Sequence, residues 1–194
     1  MFFDFYKIYF FAMQKYNALF GCFSFYSYFC SMFGAKKQKQ MDEKVYKYQK
    51  EIDELIALGC QMPSLYAPNN MSACRFSFSD STHQNHIPQY MSNPKRMLQD
   101  IAKSKASLSL LALSCFDTPS RAETFYANLK KAFKNISMSI GDALAEGVLS
   151  NDDGRKTVTA NNGHFDMYEY VGCDLNNTFQ ITKQLTDNEE RKGI

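Results

Sequence analysis

The chain has three histidines, His83, His86 and His164, so acid–base or metal chemistry must be built around few groups. The stretch DSTHQNH, residues 80–86, offers Asp80, His83 and His86. Two histidines three positions apart can reach one metal ion if they share a helical turn. Zinc, however, takes three or four ligands in fixed geometry, and this stretch does not assign a complete set. Its simpler reading is a polar surface loop. The stretch GHFDMYEY places His164, Asp166 and Tyr168 on one side of a strand, because strand side chains alternate. Three titratable groups in a row could line a pocket for proton transfer. The same pattern also describes the wet face of an antiparallel sheet.

Other catalytic constellations are missing from the sequence. A thiol nucleophile needs a histidine base and an orienting group close in space. Cys74 and Cys173 are near histidine-containing segments only along the chain. The NDDG stretch, residues 151–154, fails as a calcium loop: with Gly154 sixth, Leu149 and Ala160 fall where carboxylates are required. No phosphate-binding glycine loop, GxSxG elbow or paired-carboxylate motif is present. Three glycosylation sequons, at Asn70, Asn135 and Asn176, read as chance matches. No cofactor is expected.

These residues must be positioned by a fold of mixed type. Residues 42–58 pattern as an amphipathic helix, with Val45, Tyr48, Ile52, Leu55 and Ile56 on one face. CRFSFSD alternates as a half-buried strand near 73–79, with Cys74, Phe76 and Phe78 inward and Arg75, Ser77 and Ser79 outward. A polar loop leads to Pro94, from which a helix is expected to run to about residue 115. Within it, SLSLLALSCF has a buried strand as its alternative, since short apolar runs are ambiguous. The Thr118-Pro119 start and the stripe Ala122, Phe125, Tyr126, Leu129, Phe133 and Ile136 predict the clearest helix, and a shorter one is expected near 140–149. A meander follows near 155–183, with Phe165, Met167, Val171, Phe179 and Ile181 inward and Tyr168 and Tyr170 on the other face. The sum is an α+β domain, with three to four helices packed on a small, mainly antiparallel sheet.

Composition sets the domain limits. Fifteen of the 17 Phe and 12 Tyr fall in residues 1–33, alongside only Asp4, Lys7 and Lys15 as charges. Residues 16–35 have the length of a membrane span, but aromatic and serine-rich content suits a bilayer centre poorly. Nor is there an aliphatic core with an A-x-A cleavage site, as a signal peptide would have. Residues 1–41 therefore read as a disordered leader or mis-assigned start, with a membrane anchor as the alternative. Residues 42–186 read as the single domain, and 187–194 as a charged, frayed tail.

Beyond residue 34 the charges nearly balance, which argues against nucleic acid as the partner. The six cysteines form no CxxC pair, as expected of reduced thiols in a cytoplasmic protein. These features together predict a non-catalytic binding or interaction protein with a possible protein partner, contacted through Tyr168 and Tyr170. The alternative is a small enzyme, using the His83/His86 loop with a metal or His164 and Asp166 as acid–base groups.

Overall fold

The computed structural model describes residues 44–186, so the leader and the tail lie outside the described residues. The chain forms an α+β fold around one six-stranded, wholly antiparallel sheet. In chain order the elements are α1 (Gln49–Ala57), β1 (Met71–Ser77), α2 (Gln89–Ser92), α3 (Pro94–Ala102), a 3-10 turn (Leu108–Leu111), β2 (Leu113–Phe116), α4 (Pro119–Ala132), α5 (Ile136–Ile140), β3 (Ala143–Leu149), β4 (Gly154–Lys156), β5 (His164–Glu169), α6 (Leu175–Thr178) and β6 (Gln180–Gln184). Across the sheet the strands run β4-β5-β2-β1-β3-β6.

Both sheet faces are covered, and that coverage positions the site. On one face α4 packs over Cys74, Phe116 and Leu144, while α1, α2 and the 3-10 turn enclose Tyr168 with Leu108 and Leu111. On the other face Ala73, Leu113, Cys115, Ala145, Phe165 and Met167 form a core closed by Leu175 and Phe179. The close approach of α6 to this face depends on Gly147: a Cβ there would stand 2.5 Å from the Thr178 carbonyl oxygen. Burying both faces removes the inside–outside alternation on which a half-exposed strand depends.

That explains the first correction. β1 was expected to turn Arg75 and Ser77 to water, yet both are buried. Four further differences have local causes. The first helix starts at Gln49 rather than residue 42, because Tyr46 bridges to Tyr170 and Lys47 N–H donates to the Glu169 carbonyl. The expected long helix from Pro94 stops at Ala102, and residues 113–116 form β2, the buried-strand alternative. Residues 143–149 are strand rather than helix, pairing with the whole of β1 from Met71↔Leu149 to Ser77↔Ala143. Finally, Val171 and Ile181 are exposed, because β5 ends at Glu169 and β6 is an outer strand with no buried residue.

Candidate functional site

The sheet face bearing Glu169 ends in a cleft of about 610 Å³, walled by Lys47, Tyr48, His83, His86, Glu169, Cys173, Asp174 and Asn176. Three segments build it. The first is the chain entering α1, where the backbone bond from Lys47 to Glu169 (2.9 Å) is doubled by the side chains, Lys47 Nζ donating to Glu169 Oε2 at 3.1 Å. The second is the loop after β1, closed by a reciprocal clamp. Phe78 N–H donates to Asn85 Oδ1 (2.7 Å), and Asn85 Nδ2 donates back to the Phe78 carbonyl (2.9 Å). Directly beyond this clamp His86 adopts a left-handed backbone, φ +58°, which turns its ring inward onto Phe179 at 5.3 Å. The third is the turn into α6. There Asp174 accepts from Asn176 N–H (3.1 Å) and Asn177 Nδ2 (2.7 Å), so its carboxylate is already engaged.

Three ionisable side chains are buried in this region, His86 and Glu169 in the cleft wall and Arg75 outside it, each with polar atoms lacking a partner. Arg75 is 9 % exposed with Nε and Nη1 unpaired, His86 is 8 % exposed with Nδ1 unpaired, and Glu169 is 3 % exposed with Oε1 unpaired. Ser77, next to Arg75 on the same strand face, also has an unpaired hydroxyl. Buried polar groups in folded proteins are overwhelmingly hydrogen-bonded, so a cluster of orphans is unusual. The sheet makes room for Arg75 because its cross-strand partner is Ala145 and its other neighbours, Cys115 and Ala143, are small.

Electrostatics tie these groups together. Burial pushes the His86 imidazole down to about 3, helped by the positive charges of Arg75 and Lys47, so the ring is neutral near pH 7. Burial raises the Glu169 carboxyl above its ordinary value, while Lys47, Arg75 and Tyr48 favour its charged form. Burial lowers Lys47, yet Glu169 pulls it back and leaves the ammonium above its ordinary value. Burial, with Asp153 alongside, pushes the Cys173 thiol up to about 12. A thiol that weakly acidic is no nucleophile at neutral pH.

The residues singled out from sequence fall in two places, His83 and His86 in the cleft wall and His164 with Asp166 on the other sheet face. Asp80 is exposed outside the cleft, 3.9 Å from His83; His83, half-exposed and stacked on Phe78, lines the cleft together with His86, whose ring is turned inward. Among the described residues, no group of three or more His, Cys, Asp or Glu side chains is arranged to hold a metal ion. His164 and Asp166 do share a face. Ser114 Oγ is 2.7 Å from His164 Nε2, and Asp166 Oδ1 stands 3.8 Å from that same nitrogen. Serine and carboxylate thus meet one ring nitrogen, whereas a relay requires one on each. Burial raises the Asp166 carboxyl, and His164 partly offsets this.

Tyr168 and Tyr170, expected as exposed contact residues, are 1 % and 7 % exposed. Tyr168 is roofed by α1 and the 3-10 turn, while Tyr170 stacks on Tyr46 at 5.2 Å and accepts from Arg155 Nε at 2.9 Å. Strand alternation gave them the correct face, but not the helices that cover it.

The cleft residues absent from the sequence reading are Lys47, Glu169 and Asp174, and the burial of Arg75 nearby was missed as well. One signal pointed to Arg75. ALAEG at 143–147 is a strand with small residues along one face, which leaves room for a large side chain opposite. The chain matches no known protein family, no curated protein and no solved structure. Among the described residues no helix is long and apolar enough to cross a membrane.

Proposed function

We propose that this is a small-ligand-binding domain whose site is the cleft between the His86 loop and the Asp174 turn. One observation carries the reading: His86 and Glu169 in the cleft wall are both buried, and each keeps an unpaired polar atom. Leaving such groups unsatisfied costs about 1–3 kcal/mol each. A fold that served only its own stability would do better with apolar side chains at these positions. The cleft volume falls in the range that takes small organic ligands. No nucleophile stands ready in the cleft, since Cys173 is held protonated and the His86 ring is a very weak base. Binding without chemistry is therefore the function these groups support.

The test is a thermal-shift screen of the full chain with nucleosides, free amino acids, carboxamides and inorganic phosphate, run in parallel on Asn176→Trp. Asn176 is an exposed residue of the cleft wall, so a Trp there obstructs the mouth without disturbing the core. At least one compound should stabilise the native chain and leave N176W unmoved. Equal shifts in both proteins, or no shift from any compound, would refute the proposal.

A further inference from the structure

The apolar stripe of α4 does not end in the core. Ala122 and Tyr126 are buried along it, whereas Phe133, just past the last turn, is 58 % exposed. The cause is local. α4 stops at Ala132, and Phe133 turns extended (φ −134°) while its N–H still donates to the Leu129 carbonyl at 2.8 Å. Further on, in α5, Met138 is 78 % exposed. Every residue from 130 to 135 is exposed, so this α4–α5 corner stands out from the domain. Its charges are of one sign: Lys130, Lys131 and Lys134 are the only charged residues between Glu123 and Asp142.

We infer that the α4–α5 corner is a contact for anionic lipid surfaces, with Phe133 and Met138 entering the headgroup layer and Lys131 and Lys134 meeting the lipid charge beside them. Lysines in the last turn of a helix also favour its C-terminal dipole, which accounts for Lys130 and Lys131. That does not account for Lys134, which follows the helix, or for two large apolar side chains left in water. Apolar residues set among lysines are the composition of segments that lie in a membrane interface. Clustered basic residues are drawn to the negative surface of anionic lipids. A protein partner fits less well. Protein interfaces are depleted in lysine, and a stable one engages about 20–30 residues a side, more than a protruding corner presents. None of the corner residues lines the cleft, so this contact stands apart from the ligand site proposed there.

The chain has no tryptophan, so Phe133→Trp in the full chain makes the corner its own reporter. Vesicles of equimolar phosphatidylcholine and phosphatidylserine should shift F133W emission to the blue, and brominated acyl chains should quench it. Vesicles of phosphatidylcholine alone should do neither at the same lipid concentration. Each lysine beside an anionic membrane contributes about fivefold in partitioning. Lys131→Gln combined with Lys134→Gln should therefore weaken co-sedimentation of the full chain with the anionic vesicles about thirtyfold. Phe133→Ser should weaken it about tenfold. Melting profiles matching that of the native chain exclude misfolding as the cause. Sedimentation with no change in F133W emission would place the membrane contact elsewhere in the chain and overturn the inference. Equal responses to both kinds of vesicle, undiminished binding of K131Q/K134Q, or silence towards every vesicle would overturn it too. A response to polyglutamate or single-stranded DNA but not to vesicles would assign the corner to an acidic macromolecule instead.

Discussion

His86 is buried as a neutral ring beside two cations, so acid should weaken the native state through this single residue. The free imidazole titrates at 6.5, and burial with Arg75 and Lys47 moves it to about 3. Only Asp174 acts in the opposite sense. With the folded value depressed, the unfolded chain binds the proton more readily across the window between about 3 and 6.5. Stability from this group is therefore full above that window and is lost as pH falls through it. Between pH 7 and pH 5 the two titration curves diverge by about 2 kcal/mol. Urea unfolding of the native chain and of His86→Asn at both pH values isolates the effect, because the other titrating groups are common to both proteins. Asn is the appropriate replacement, since it tolerates the left-handed backbone at this position. The native chain should lose about 2 kcal/mol more than the variant on acidification. In NMR spectra the His86 ring signals should not titrate between pH 7 and pH 5. Equal losses in the two proteins, or a His86 midpoint near 6.5, would refute the placement of a neutral ring against Arg75.

Arg75→Met should raise unfolding stability by about 1–4 kcal/mol in urea titrations, because the buried charge has unpaired donors. A destabilised R75M would instead assign the guanidinium a structural role. Gly147→Ala should cost about 1–3 kcal/mol by thermal unfolding, as the added methyl meets the Thr178 carbonyl and lifts α6 from the sheet. A smaller change would show that α6 shifts freely. Alkylation of the native protein with iodoacetamide at pH 8, read by peptide mass spectrometry, should leave Cys74, Cys115 and Cys173 unlabelled until denaturant is added. All three thiols are pushed well up by burial, Cys74 and Cys173 to about 12 and Cys115 to about 11. Rapid native labelling of Cys173 would contradict the environment described for the cleft wall.

The α+β character was legible because it rests on local signals. The Pro119 helix start and the alternation at 164–169 hold in the structure, since both are short-range effects of proline geometry and strand pleat. The misread elements share a different cause. Leu113–Phe116 and Ala143–Leu149 carry apolar residues on both faces, and only the pairing of Ser114 with Asp166 or Ala145 with Arg75, fifty to seventy positions apart, decides that they are strands. For the site, His86 was visible as a residue type, but its inward turn depends on the Asn85 clamp and a left-handed backbone. Arg75 was read as a solvent residue because alternation cannot reveal that α6 and the His86 loop cover the second face. Tyr168 and Tyr170 were misjudged for the same reason, with α1 and Tyr46 as the cover.

The most direct measurement is a crystal structure of the full chain at a resolution that shows ordered water. The account expects an open cleft in which Glu169 Oε1 and His86 Nδ1 bond to waters or to a bound molecule, and to no protein group. If those atoms are instead paired with protein carbonyls or carboxylates, with the His86 loop closed down on the Asp174 turn, the site is structural and the binding proposal is wrong.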